Sequence, residues 1–119
     1  MNDLVKKEVE KLIEFYCLDC SIEEFQDKVS WYYVSSFQTL SEDFMREFQD
    51  RIFWHWISIH QKLFENFIIE FKNRVDWICI SRFQKLSPEF IEEFINELDF
   101  GIVMEHQDVE VNFSRKNKT

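Results

Sequence analysis

The sequence predicts an all-α protein in which short helix pairs repeat in tandem and stack as a small solenoid behind an N-terminal cap helix. Three observations predict this class. A unit of 23 residues recurs along the chain, its apolar residues follow helical spacing, and the 119 residues include only 1 Gly and 1 Pro. So few breaker residues argue against β-turns and Gly-rich phosphate loops. We therefore expect one helical domain over residues 1–119.

The repeat is defined by polar and aromatic residues that share one register. Leucines and phenylalanines follow in the same register, and Phe100 takes the next tryptophan position. We interpret the serines and glutamines as structural, because a stacking contact must recur in every unit whereas a binding row need not. The repeated positions are Trp31, Trp54 and Trp77; Ser35, Ser58 and Ser81; and Gln38, Gln61 and Gln84.

Each unit is predicted to contain two helices. The first begins at the tryptophan and runs for about eight residues, as from Trp77 to Gln84. The second begins after a capping serine, and in the third unit Ser87 precedes Pro88 at the first helical position. The second unit has Phe64 in place of this serine. We expect a weaker helix start there, or a phenylalanine kept for binding.

The ends of the array depart from the repeat. Residues 1–23 are predicted to form the cap helix and its connection, and residues 24–99 carry the repeats. Residues 100–113 form a degenerate fourth unit, in which the alternation over 108–113 is typical of a short strand, and residues 114–119 are expected to be a disordered tail.

The Trp, Ser-x-x-Gln-x-Leu-Ser and Phe-Ile-x-x-Phe positions resemble short tandem repeats found in proteins of large DNA viruses and some phages. The resemblance covers roughly residues 24–107. It implies a helical scaffold and a viral or phage origin. It implies no catalytic residues and no particular activity.

The charge balance limits the possible partners. The formal net charge of −9 repels nucleic acid and anionic lipid, and favours a protein partner with a basic surface. No segment approaches the ~18 apolar residues of a membrane span, and the N-terminus has no signal-peptide core. Three cysteines, an odd number, fit a reducing compartment. We expect a cytoplasmic protein, in the host cell if it is viral.

One set of cysteines and histidines invites a chemical interpretation. Cys17, Cys20, His55 and His60 resemble zinc ligands, but both histidines occupy variable repeat positions far along the chain from the cysteines. A zinc-binding regulator is therefore the least favoured alternative, and we expect no cofactor. No nucleophile has a recognisable context, so we expect no enzyme.

Glutamates also recur in the second helices. They could mimic a phosphate backbone, but a basic residue follows three of them at i+4, the favourable order for surface ion pairs on a solvated helix face. The last unit lacks this cation. The glutamates are Glu24, Glu47, Glu70 and Glu93, and the cations are Lys28, Arg51 and Arg74.

The function is best sought in residues that break the repeat, because scaffold positions recur and surface positions drift. Large aromatics at drifting positions are typical of interfaces, although they could also fill gaps between unequal units. We predict a non-enzymatic protein-binding module, specifically an inhibitor of a host defence or nucleic-acid-handling protein similar to an anti-CRISPR. The alternative is self-association of the solenoid ends into homodimers or filaments. The candidate partner-binding residues are Tyr33, His55, Trp56, Phe64, Glu89, Glu92, Glu93 and Glu97.

Overall fold

The computed structural model describes residues 1–107, which form nine helices and no strands, so the predicted all-α class is confirmed over that range. The expected strand at 108–113 and tail at 114–119 lie outside the described residues. None of the described helices is long and apolar enough to cross a bilayer. The helices are α1 Asp3–Phe15, α2 Phe25–Lys28, α3 Trp31–Phe37, α4 Glu42–Glu47, α5 Trp54–His60, α6 Glu65–Glu70, α7 Trp77–Phe83, α8 Pro88–Glu93 and α9 Phe100–His106.

Side-chain caps set most helix starts. The hydroxyls of Ser41 and Ser87 each accept a hydrogen bond from the backbone N–H three residues on, at 3.1 Å. Phe64 precedes α6 without a side-chain cap, as its sequence position predicts. Apart from α1 the helices have only 4 to 7 residues, too few to persist without tertiary packing.

The first helices of successive units pack against one another: α3 contacts α5, α5 contacts α7, and α7 contacts α9. Helix α1 contacts α4. The molecule is correspondingly elongated, with extents of 58 × 23 × 19 Å. These contacts join neighbouring units along the chain.

Each repeated tryptophan links two second helices. The ring of Trp54 packs against Phe67 of α6 and Phe71 just after it, with centroids 6.1 and 4.9 Å away. Its indole N–H donates to the Gln49 carbonyl, just after α4, at 3.0 Å. Trp31 and Trp77 make the corresponding indole bonds five residues back. The tryptophan thus fills the core and satisfies a carbonyl beyond the end of a short helix.

The repeated glutamines bond across units. The Gln84 amide donates to the carbonyls of Ser58 and Gln61 at 2.8 and 2.7 Å, and its oxygen accepts from the Leu63 N–H at 2.9 Å. Gln61 and Gln107 repeat this three-bond pattern one unit before and after. The structure thus directs each of these glutamines to the preceding unit.

The repeated serines make the complementary link. The Ser58 hydroxyl donates to the Trp54 carbonyl at 2.7 Å and accepts from the Asp76 N–H of the next unit at 3.0 Å. Ser35 and Ser81 accept in the same way from the next unit. All three serines are fully buried. A hydroxyl that both donates and accepts, as that of Ser58 does, satisfies its own hydrogen-bonding groups although it is buried.

Helix α1 and the residue that follows it bond to the first unit. The Gln38 amide donates to the Tyr16 hydroxyl at 2.8 Å. The Glu8 carboxylate accepts from the Ser41 N–H and hydroxyl at 3.0 and 2.6 Å. Glu65 holds Ser87 in the same way further along the chain. The Gln38 amide and the Ser41 N–H and hydroxyl therefore have partners in residues 1–16.

Candidate protein-binding surface

A connected group of rings lies on α3 and α5, and we call it the aromatic surface. Tyr32 joins the two helices through an edge contact with Trp56, with centroids 5.5 Å apart. Trp56 in turn stacks on His60 at 5.9 Å and meets His55 edge-on at 4.9 Å. The aromatic surface consists of Tyr32, Tyr33, Phe37, His55, Trp56 and His60.

The helical register exposes these rings. In α3 the first, fourth and fifth positions are buried, and the second, third and seventh point outward. Tyr33 is 52% exposed and Phe37 is 67% exposed, whereas Trp56 is half-buried. An exposed and contiguous group of large rings is typical of a protein-binding site rather than of a core.

Exposed apolar side chains also lie on α7, the helix that packs against α5. Ile78 is 60% exposed and Phe83 is 51% exposed, and the Arg82 guanidinium lies 5.7 Å from the Phe83 ring centroid. Three successive first helices therefore present apolar side chains outward. The predicted partner-binding residues did not include Phe37, Ile78 or Phe83, although the helical register places these side chains on the outer side.

The predicted acidic residues belong to other helices. Helices α3, α5 and α7 contain no Asp or Glu, whereas α4, α6 and α8 carry acids on their exposed sides. The predicted partner-binding residues thus fall into two groups, rings on first helices and acids on and after α8. The acids Glu89, Glu92, Glu93 and Glu97 are all exposed.

Phe64 lies apart from both groups, just before α6. It is 68% exposed and lines an open groove of about 440 Å³ together with Lys62, Glu65 and Lys85. Because Glu65 already holds Ser87, its charge is engaged within the fold. The groove therefore offers one aromatic ring and two lysines to a ligand.

The expected i, i+4 ion pairs of Arg51 and Arg74 are replaced by pairs between units. Arg51 contacts Asp27 at 3.1 Å and Arg74 contacts Asp50 at 2.7 Å. Helices α4 and α6 end at the glutamates themselves, so the following arginines leave the helical register that an i, i+4 pair needs.

Arg46 also bridges units, and it engages one member of the glutamate series. It contacts Glu70 at 2.9 Å, and that hydrogen bond is the main reason why the pKa of Arg46 is raised. With Glu70 paired in this way, the repeated glutamates do not form a uniform acidic ladder.

A second group of polar side chains lies beside the aromatic surface. His55 Nδ1 is 2.8 Å from Asp76 Oδ2 and 3.6 Å from Cys79 Sγ. The other carboxylate oxygen of Asp76 accepts from the backbone N–H groups of Ile78 and Cys79 and so caps α7. We call His55, Asp76 and Cys79 the His–Asp–Cys cluster.

Within residues 1–107, this is the one group of three or more His, Cys, Asp or Glu side chains whose potential ligand atoms converge. The set suggested by the sequence, Cys17 and Cys20 with both histidines, is not brought together. Asp76 and Cys79 were not predicted as ligands, because neither belongs to a recognisable metal-binding motif in the sequence. Their offsets of 21 and 24 residues from His55 become meaningful only when neighbouring units are packed.

The environment of the cluster shifts two pKa values. Burial raises the pKa of the Cys79 thiol to about 11, and the nearby Asp76 charge adds to this effect. Partial burial also raises the pKa of Asp76, but hydrogen bonds from His55 and Cys79 outweigh it and hold that pKa below its ordinary value. At neutral pH the cluster therefore contains a carboxylate and a protonated thiol.

Comparisons of this chain with protein-family models, with curated proteins and with solved structures found no significant match.

Proposed function

We propose that this protein is a non-enzymatic protein-binding module, in which helix pairs stacked as a solenoid behind a cap helix present the aromatic surface to a partner. The observation that carries this proposal is a connected group of six rings on two adjacent helices, five of them exposed and Trp56 half-buried. Aromatic rings provide large contact area at low entropic cost and dominate the binding energy of many interfaces.

The scaffold supports this role because its own polar groups are bonded inward. The repeated serines and glutamines form hydrogen bonds between units and do not face outward. The outer side of the first helices is mostly apolar. A rigid surface loses little conformational freedom on binding and therefore binds more tightly for a given area.

Charge and ring chemistry favour a partner with Arg or Lys at its interface. The net charge of −9 attracts a basic protein over long range, and the ring faces can receive a guanidinium or ammonium group. The acids on and after α8 would contribute to this attraction. The aromatic surface would then provide the short-range contacts.

The resemblance to viral and phage repeats narrows the proposal. A small acidic protein of such origin would act in the cytoplasm of the host, as an inhibitor of a defence or nucleic-acid-handling protein. Such targets carry basic surfaces that normally meet nucleic acid. The acidity and the resemblance support this step, and the aromatic surface supports only the binding itself.

Affinity capture followed by variant titration tests the proposal. A partner captured from lysate should bind Trp56→Ala and Phe37→Ala roughly 30-fold more weakly than the wild type. Leu4→Ala is the matched control, because Leu4 is an exposed apolar residue on α1, outside the aromatic surface. Equal affinity of all variants would contradict the proposal, as would recovery of nucleic acid alone.

The acidic residues should affect the rate of association. Glu93→Lys should slow association and weaken its dependence on salt, while leaving dissociation nearly unchanged. This outcome would separate long-range attraction by α8 from direct contact by the rings.

Self-association is a second candidate, and the C-terminal end of the stack favours it. Met104 is exposed, and its position in the repeat corresponds to that of Ser81 one unit earlier. Ser81 accepts a hydrogen bond from the next unit, which a methionine side chain does not do in this way. An apolar residue there suits contact with a second copy. Light scattering across concentrations tests this candidate, and a dimer that Met104→Glu dissociates would support it. A strict monomer would eliminate it.

A further inference from the structure

The His–Asp–Cys cluster occurs at one junction only. One unit earlier, the corresponding residues are Tyr32, Phe53 and Trp56, and one unit later they are Ile78, Asp99 and Ile102. Packing of this repeat therefore does not require a histidine, a carboxylate and a thiol at these positions. All three side-chain types can bind a transition metal.

The spacing of the sulfur and nitrogen donors matches the needs of zinc. Zinc bonds of ~2.3 Å to sulfur and ~2.0–2.1 Å to nitrogen, at a tetrahedral angle, place the two donors about 3.6 Å apart. The observed Sγ–Nδ1 distance is 3.6 Å. All three potential ligand atoms lie within 4.8 Å of one another.

The carboxylate oxygen must move on metal binding, since it would have to lie about 3.6 Å from the sulfur and the three donor atoms are held only within 4.8 Å of one another. A tetrahedral metal would hold the nitrogen and oxygen donors about 3.3 Å apart, whereas the present hydrogen bond holds them at 2.8 Å. His55 is exposed, so its ring can move by this amount. Asp76 can bind through Oδ2 while Oδ1 continues to cap α7.

We propose that His55, Asp76 and Cys79 form a Zn²⁺ site, with water completing a tetrahedral coordination sphere. On binding, the Cys79 thiol releases its proton to solvent and its sulfur forms a bond to zinc. His55 loses its Nδ1 proton to solvent, takes one up on Nε2 and binds through the Nδ1 lone pair, and Asp76 binds as a carboxylate. The two anionic ligands neutralise the charge of the ion, which suits a half-buried position.

A bound ion would join α5 to the start of α7. It would also fix the ring of His55, against which Trp56 packs at a centroid distance of 4.9 Å. Zinc would then hold one anchor of the aromatic surface in place. Metal binding itself does not depend on the proposed partner, so its test stands alone.

Titration with Co²⁺ tests the site, because a cobalt–thiolate bond gives a charge-transfer band and tetrahedral cobalt gives intense visible bands. The full chain, reduced and stripped with chelator, should bind one equivalent with both signals, and one equivalent of Zn²⁺ should displace the cobalt. Elemental analysis after dialysis should then find one zinc per chain. The thermal midpoint should rise with zinc concentration, since only the folded chain assembles the three ligands.

The chain provides its own cysteine control. Cys79→Ser should abolish the charge-transfer band, whereas a double Cys17→Ser, Cys20→Ser variant should keep it, since those cysteines lie outside the cluster. His55→Tyr installs the residue found one unit earlier, keeps the thiol and should lose stoichiometric zinc, with unchanged helical circular dichroism. It decides the question if Cys79→Ser fails to fold.

Two results would overturn the site. One is a wild-type chain that retains no zinc after dialysis and shows no cobalt band, which would leave a hydrogen-bonded pair above a buried thiol. The other is a band that survives in Cys79→Ser or disappears in the double variant, which would place the metal at Cys17 and Cys20.

Discussion

At the scale of single residues, the glutamines show how much one buried amide can contribute. Gln84 is almost fully buried and bonds three backbone groups of the preceding unit. Each of those groups would lose its partner without the amide, and an unpaired buried polar group costs more than the bond itself contributes. Glutamine at this position therefore determines how tightly two units can be joined.

Replacement of Gln84 by Ala should lower the free energy of unfolding by about 3 kcal/mol, because it leaves the Leu63 N–H and two carbonyls without partners. Gln38→Ala is the matched control, since Gln38 is half-buried and its amide meets a tyrosine hydroxyl. We expect a loss of about 1 kcal/mol there. Urea denaturation measures both values, and equal losses would contradict the assigned role.

The capping box at the start of the repeats gives a prediction about pH. The Glu24 carboxylate accepts from the Ser21 N–H at 3.0 Å and the Ser21 hydroxyl at 3.1 Å, and these bonds lower its pKa from 4.5. Because the folded-state pKa is depressed, the stabilisation is present above the unfolded value and is lost as pH falls through the folded value. NMR titration of the Glu24 carboxyl should show a midpoint below 4.5.

Ser21→Ala provides the control for this titration. The backbone bond remains, so the midpoint should move only part of the way back towards the ordinary value. A wild-type midpoint at or above the ordinary value would show that the capping box does not form in solution.

At the scale of helices, the sequence predicted starts better than ends. The caps at Ser41 and Ser87 are local, since a serine before a run of acids and apolar residues marks a helix start without any tertiary information. The ends were harder to predict. Helix α4 stops at Glu47, and this early stop redirects Arg51 from its own helix to Asp27 of the neighbouring unit.

The absent cap of α6 can be restored. Phe64→Ser should raise the free energy of unfolding by about 1 kcal/mol, because a hydroxyl would accept from the backbone N–H of Phe67 as Ser41 and Ser87 do for their helices. Phe64→Ala separates this effect from removal of an exposed ring and should give no such gain. A chemical denaturation series measures both, and an unchanged or lower stability in Phe64→Ser would contradict the capping argument.

At the scale of the whole molecule, some of the candidate surface could be predicted from the sequence. Tyr33, His55 and Trp56 were identified because they break the repeat, and the structure brings them into one connected group of rings with Tyr32. The His–Asp–Cys cluster could not be predicted in this way. Its members lie in two units, and sequence offsets of 21 and 24 residues carry no meaning until α5 is packed against α7.

The elongated shape also determines how damage should spread. The first helices contact their neighbours in order, and the fourth position of each is buried without exception: Val34, Ile57, Ile80 and Val103. In a linear array of stacked units stability is close to a sum of unit and junction energies, so on the proposed solenoid arrangement we expect a defect at one end to remain local. The terminal valines form a matched pair that tests this expectation.

Val103→Ala should remove about 2 kcal/mol from its junction through lost burial and a residual cavity. Amide hydrogen exchange should then accelerate in α7, α8 and α9 and stay unchanged in α1 and α3, because the first helix that α9 packs against is α7. Val34→Ala should give the opposite pattern: amide exchange should accelerate in α1 to α4 and stay unchanged in α9. If either variant accelerated exchange equally from α1 to α9, the chain would unfold as one cooperative unit, and independent junction energies would no longer describe it.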